Sequence, residues 1–348
     1  MNGFFPKNNR KEVGPNQIIE RGQIKLTKPR GFVALTLMLV LNSTCFAADN
    51  DGCSDATLRG DYGFTILGDQ PNPDGTTSPV VGIAITHFDG AGKLTQRDFT
   101  VTGGLPSPGN GNAATGFHFA GGETGKYSVN SDCTGSAEID LNAPAPPGLS
   151  SGVIKLMFIV PPDGAHIHTV VSEITVPFTT APLLNTTRSD ASRIGRIEGH
   201  CSNATLKGDF GSTILGTSPN PDGTTSPLKG VAISENDGRG RSTQRDFVMT
   251  GGLPEPGTGD AQTGFSFSNG QTGTYTVNPD CTGSGEVHLN VPAPSGLSSG
   301  VIKLMFIITD NGLASHAVVS EFTAPFAAAP TLNTTRSDSW KLGSTRID

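Results

Sequence analysis

The sequence predicts an all-β protein made of two tandem antiparallel β-barrel or sandwich domains of about eight strands each. Three observations carry this. Apolar residues recur at period two in short runs, turn-forming residues separate the runs, and one unit is written twice at a spacing of 148 residues. Period two puts alternate side chains on opposite faces of a strand, and no stretch reads as a convincing helix. The chain holds 46 glycines and 25 prolines in 348 residues without a Gly-X-Y period, which disfavours a helical bundle and excludes collagen.

Residues 1–48 read as a signal peptide. Seven basic residues between Lys7 and Arg30 precede the largely apolar run Gly31 to Leu41, which is shorter than the roughly 20 residues a bilayer-spanning helix needs. Cys45 and Ala47 supply the small-x-small pattern of a cleavage site, so cleavage is expected after Ala47 or Ala48. A lipidated Cys45 is the rival reading, but Leu41 stands one position too early for a lipobox. Without this segment the formal charge falls from −7 to −12, which leaves no electrostatic footprint for nucleic acid. No other stretch is apolar enough to cross a membrane as a helix. The expected location is secreted, periplasmic or in the cell envelope.

The repeat sets the domain plan. Cys53 maps to Cys201, Cys133 to Cys281, His168 to His316, Glu173 to Glu321 and Arg188 to Arg336, without a gap. The period is too long for a solenoid and suits a duplicated domain. The expected organisation is a first β domain over 49–190, a linker over 191–200 and a second β domain over 201–348. The four cysteines of the mature chain allow three complete pairings. Cys53 with Cys133 and Cys201 with Cys281 is the pairing that two self-contained domains would make, and each bridge would close a long loop.

The strands follow in order. Tyr62, Phe64 and Ile66, with Phe210, Ser212 and Ile214 in the second copy, share one face of a strand. Val80 to Phe88 ends at Asp89-Gly90-Ala91-Gly92 and returns as Leu94 to Thr102, a hairpin. Gly116 to Ala120, Gly125 to Val129, Ser136 to Leu141, Val153 to Val160 and Ala165 to Phe178 complete eight. Between them lie Asn130-Ser131-Asp132, the proline-rich turn at 144–148 and Pro161-Pro162-Asp163-Gly164, all cheap turn formers. A barrel is preferred to a sandwich because closure removes the sheet edges.

Candidate sites divide by residue type. Thr95, Arg97, Phe99 and Val101 share a face, as do Thr243, Arg245, Phe247 and Met249, so each copy carries an arginine on an apolar side. Such an arginine holds an anionic ligand inside the barrel, is paired, with Glu173 or Asp98 as partners in the first copy, or lies at the barrel mouth. His166 and His168 lie on one strand face at chelating distance, but Ala314 stands at the first position in the second copy. His168 and Glu173, repeated as His316 and Glu321, form an acid–base pair only if a bend or bulge shortens the roughly 17 Å between them. Asn72-Pro73-Asp74-Gly75 and Asn220-Pro221-Asp222-Gly223 contain part of a calcium loop without its distal glutamate, and read as turns. A Gly-x-Ser-x-Gly string recurs at Gly148 to Gly152 and Gly296 to Gly300, around Ser150 and Ser298, but without the strand-to-helix context of a nucleophile elbow. Asn185, Asn203 and Asn333 head glycosylation sequons. The residues retained as candidate ligand contacts are Arg97, Arg245, His168, His316, Glu173 and Glu321. No catalytic set, cofactor or metal site is identified.

The segments Cys-Ser-x-Ala-Thr-Leu-x-Gly-Asp-Tyr/Phe-Gly, Asp-Gly-x-Gly and Tyr-x-Val-Asn-x-Asp-Cys-Thr-Gly-Ser resemble a group of exported bacterial proteins of unknown function. That resemblance covers both copies and implies a secreted β domain with one internal disulfide. By strand order and size the domains are more distantly similar to the barrels of the allene oxide cyclase and dirigent type, with no catalytic residue of those families matched here. Two functions follow as expectations. One is a non-catalytic extracellular or envelope module that binds a small apolar or anionic ligand or a cell-surface partner. The other is an isomerase or cyclase acting on a small molecule in the barrel, which requires an internal cavity.

Overall fold

Alternating runs joined by tight turns pair with their neighbours in sequence and curl until the last strand meets the first. The computed structural model describes residues 52–343 except 73, 143–151, 176–182, 184, 196–199, 221, 223, 256–257, 269, 291–299, 324 and 326–329. The segment 1–48 with Cys45, the turn at 144–148, and Ser150 and Ser298 lie outside the described residues.

The first ring consists of β1 (Arg59–Pro71), β2 (Thr77–Asp89), β3 (Lys93–Thr102), β4 (Ala120–Val129), β5 (Thr134–Asp140), β6 (Val153–Ile159), β7 (His166–Thr175) and β8 (Arg188–Arg193). Each strand pairs antiparallel with the next, and β8 pairs back onto β1, from Tyr62 opposite Arg193 to Leu67 opposite Arg188. The second ring repeats this with β9 (Gly208–Pro219), β10 (Thr225–Asn236), β11 (Arg241–Thr250), β12 (Gln271–Val277), β13 (Thr282–His288), β14 (Val301–Thr309), β15 (Ala314–Thr323) and β16 (Arg336–Lys341). Both are closed eight-stranded up-and-down barrels, so no ring edge is left to template aggregation.

The β2–β3 turn forms as its composition dictates. The Asp89 carboxylate accepts hydrogen bonds from the amides of Ala91 and Lys93 at 2.7 and 3.0 Å, while Gly90 and Gly92 take φ of +80° and +92°. Two expected elements change. Gly116 to Ala120 is not one strand: Gly116–Phe117 makes a two-residue pairing with Gly111–Asn112 in an excursion over residues 103–119, and Ala120 already belongs to β4. The closing strand is β8, with a single apolar side chain in Arg-Ser-Asp-Ala-Ser-Arg. It is held by pairing on both sides and reaches Arg193, three residues into the stretch read as linker.

Inside the first barrel Leu58, Tyr62, Phe64, Phe88, Tyr127 and Phe158 form an apolar core. Tyr62 and Tyr127 both meet Phe88 edge to face, at 5.4 and 5.0 Å between ring centroids. One end is plugged by a short turn at Asp55–Thr57. Tyr127 Oη donates to the carbonyls of Leu58 and Asp55, and the Asp55 carboxylate accepts from the Val129 amide at 2.7 Å. The Cys53–Cys133 and Cys201–Cys281 disulfides tie these ends, each spanning 80 residues. Disulfides persist in oxidising compartments.

Residues 49–348 cohere as one unit because the barrels share a contact. On β2 both faces are buried: Ala84, Thr86 and Phe88 point into the barrel, while Val81, Ile83 and Ile85 point out of it. With Phe99 and Val101 of β3, these outward residues join Met305, Ile307 and Val318 on the outside of β14 and β15 in one apolar cluster. Gly63 permits the approach, since a Cβ there would lie 2.6 Å from Thr309 Cγ2 and 2.7 Å from Ile307 Cδ1. Among the described residues no helix is long and apolar enough to cross a membrane.

Candidate functional site

Closing a ring fixes which alternate face looks inward. On β3 the inward residues are Gln96 and Asp98, not Arg97. Thr86 Oγ1 donates to Gln96 Oε1 at 2.8 Å, and Gln96 Nε2 donates to Glu123 Oε2 at 2.8 Å. Burial, and then the Glu123 charge, push the Asp98 carboxyl up to about 8. Burial also raises Glu123, partly offset by its hydrogen bond from Gln96. The excursion over 103–119 is tied to this end of the barrel by Asn110, whose side chain donates to the Asp98 carbonyl at 2.7 Å and accepts from the Thr100 amide.

The second barrel keeps the plan and changes several partners. Ser234 and Gln244 replace Thr86 and Gln96, but Gln271 stands where Glu123 does. Gln244 Nε2 donates to Gln271 Oε1 at 2.9 Å, Gln271 Nε2 donates to Asp246 Oδ2 at 2.8 Å, and Ser268 Oγ donates to Asp246 Oδ1. Glu255, from the corresponding excursion, is pushed up by burial and by the Asp246 charge.

The interiors differ most in what fills them. In the first barrel Phe64, Phe88, Leu94 and Ile167 line a residual cavity of about 90 Å³. Their counterparts are Ser212, Asn236, Ser242 and Ser315, which line a cavity of about 170 Å³ in the second. An adjoining cavity of about 290 Å³ shares Ile214, Gln244, Ile302, Val319 and Thr335 with it. Its wall combines Leu228, Val248, Leu289 and Phe322 with Asp246, Glu255 and Thr258. Four large apolar side chains exchanged for small polar ones leave a packed barrel beside a hollow one.

The residues singled out in the sequence lie elsewhere. Arg97 is on the outward face and pairs with Asp280 of the second barrel at 2.6 Å, rather than with Glu173 or Asp98. Arg245 occupies the matching outward position on β11. His168 Nδ1 meets Asp190 at 2.8 Å, directly across β7 and β8, and both are exposed. His316 makes the same contact with Asp338 at 2.9 Å, and both side chains are mostly buried. Burial alone would raise Asp338, but the His316 hydrogen bond and Arg336 hold it below the usual carboxylate range. Glu173 and Glu321 bind Lys155 and Lys303 at 2.9 and 2.8 Å. A bulge does interrupt β7 between Val171 and Glu173, yet His168 and Glu173 keep separate partners. Asp74 and Asp222 accept from Thr76 and Thr224 within their own turns. Among the described residues no group of three or more His, Cys, Asp or Glu converges as a metal site.

The interior polar set of Gln96, Asp98 and Glu123, with Gln244, Asp246, Gln271 and Glu255, was not singled out from the sequence. Its signal was available in the alternation of Gln96 and Asp98 with Arg97, but period two names two faces without saying which one a barrel encloses.

No protein-family model and no curated protein matches the chain. Two solved structures align along most of it. One is a Nostoc punctiforme protein of unknown function from the DUF3598 family, 10% identical over 82% of this chain and 97% of its own, with a TM-score of 0.24. The other is a Nitrosomonas europaea protein described as a "putative AttH", 12% identical over 87% of this chain and 99% of its own, with a TM-score of 0.23. Likeness at this level says nothing of function.

Proposed function

We propose that the chain is an exported, non-catalytic binding protein whose second barrel takes up a small, partly polar molecule and whose first barrel braces it. The carrying observation is the hollow interior of the second barrel against the filled interior of the first, produced by Phe64/Ser212, Phe88/Asn236, Leu94/Ser242 and Ile167/Ser315. A cavity of about 290 Å³ with apolar walls and a few convergent polar groups is the usual form of a small-molecule site. Asp246 and Glu255 in its wall favour a neutral or cationic hydrogen-bond donor, such as a polyol or an amine, over an anion. Arg97 and Arg245, on the outside, do not enter this reading. Export rests on the leader and the two disulfides.

Native mass spectrometry of the protein taken from its host's exported fraction tests this. A small molecule lost on denaturation is the expected result. The variant carrying Val248→Phe and Val319→Phe, at two residues that line the cavity of about 290 Å³, is expected to come through bare. An empty wild type that also shows no thermal shift with sugars, polyols or amines overturns the proposal. The isomerase or cyclase reading retains one supporting observation, the two carboxyls in one cavity with Glu255 raised. Turnover of a captured molecule, abolished in Asp246→Asn, would favour it.

A further inference from the structure

The contact between the barrels joins two different surfaces. The outside of β1–β3 on the first barrel sits on the outside of β14–β15 on the second. Because the barrels are copies, the second carries its own version of the first surface, and the first carries its own version of the second. Among the described residues neither is covered within the chain. Met305, Ile307 and Val318 are 5% exposed or less, whereas their counterparts Met157, Ile159 and Val170 are 53 to 60% exposed. On the other surface Ile83 and Val101 are fully buried, while their counterparts Val231 and Met249 are 44 and 37% exposed. Phe117 and Phe119 pack onto the inter-barrel cluster, and their counterparts Phe265 and Phe267 are exposed. Ile194 is buried and Leu342, its counterpart, is not.

Polar features repeat in the same way. Arg97 bridges to Asp280 across the contact, and the uncovered surfaces carry Arg245 and Asp132 at the matching positions. Gly104 is pressed against Leu332 of the second barrel, where a Cβ would lie 2.7 Å from the Leu332 Cβ, but its counterpart Gly252 faces open space.

We propose that a second copy of this chain docks head to tail, its first barrel presenting Met157, Ile159 and Val170 to the Val231, Met249 and Phe265 surface of the neighbour's second barrel. The new contact repeats the one that already joins the barrels within a chain. Such a heterologous interface does not close on itself, so it generates a ring or an open filament. Apolar patches of this kind on a folded protein mark interaction surfaces. Lys229, in place of Val81, is the charged departure from the buried surface. Within a chain the linker also supplies a high effective concentration that separate chains lack. The contact between chains is therefore the weaker of the two, and assembly depends on concentration.

The test uses the full mature chain and two double variants at positions exposed in the single chain. One is Ile159→Asp with Val170→Asp, and the other is Val231→Asp with Met249→Asp. In sedimentation velocity the wild type is expected to grow past two chains as concentration rises, while each variant stays at one. A mixture of the two variants retains one working copy of each surface and is expected to reach two chains and no more. A wild type that stays a single chain up to about 1 mM overturns the proposal. So does a variant that still associates alone, or a mixture that stays at one chain while both variants keep a native near-ultraviolet spectrum.

Discussion

Asp98 and Asp246 occupy the same position in two copies of one strand and differ in their neighbours. Beside Asp98 stands Glu123, whose charge adds to burial and lifts Asp98 to about 8; beside Asp246 stands Gln271, which donates to it. The folded value of Asp98 lies above the ordinary 3.8, so its stabilising contribution is complete below about pH 4 and is lost as pH rises to about 8. Urea unfolding is expected to show stability falling across that window by up to about 1.4 kcal/mol per pH unit. Asp98→Asn is expected to flatten the slope. Glu123→Gln, which copies the second barrel, is expected to stabilise the chain at pH 8 by roughly 1–2 kcal/mol and to return Asp98 toward its ordinary range. Carboxyl carbon chemical shifts followed through a pH titration check the second point, and a slope unchanged in Asp98→Asn would contradict the first.

At the scale of the element, closure depends on strands of very different quality. β2 is apolar on both faces, and its tight turn to β3 is held by Asp89, so this hairpin carries its own instructions. β8 contributes little core and is held by ladders to β1 and β7, so its register is imposed by neighbours. The disulfide ties the plugged end by closing an 80-residue loop. Replacing Cys53 and Cys133 together with serine is expected to cost about 4 kcal/mol by loop entropy, measured as a lowered midpoint in guanidinium unfolding. A change under about 1 kcal/mol would mean that the Tyr127 and Asp55 contacts hold that end unaided.

For the whole molecule, the two barrels share a plan and differ in their interiors. One is filled and the other hollow, and the filled one lays its outer face on its copy. Position within the assembly then decides the energetic weight of equivalent residues. Ile307→Ala is expected to destabilise the chain by about 3 kcal/mol, whereas Ile159→Ala, the same exchange in the other copy, is expected to change dilute-solution stability by less than about 0.5 kcal/mol. Arg97→Ala breaks a half-exposed ion pair and is expected to cost under about 1 kcal/mol. Calorimetry of the three variants side by side checks the ranking. Equal losses at Ile307 and Ile159 would contradict the asymmetric contact.

Much of this was readable from residues. Period two at Tyr62, Phe64 and Ile66 marks a strand because only extended backbone alternates side chains, and Asp89-Gly90-Ala91-Gly92 marks the turn because its glycines accept positive φ. The repeat of 148 determined two copies, and the disulfides pair within each copy as self-contained domains require. The eighth strand was not readable, because Arg188 to Arg193 has no alternation and acquires its conformation from ladders on both sides. Nor could the sequence assign Arg97 to the outside: its apolar companions Phe99 and Val101 are buried between barrels, so hydrophobicity marks the outward face of β3 as the internal one. The sequence by itself therefore determined fold class, copy number and turns, which depend on local dihedral preference and periodicity. Only the tertiary structure decided which face is enclosed, which exchanged side chains leave a barrel hollow and which copy of each surface is covered, because those depend on closure of the ring and on the order in which the repeated units pack.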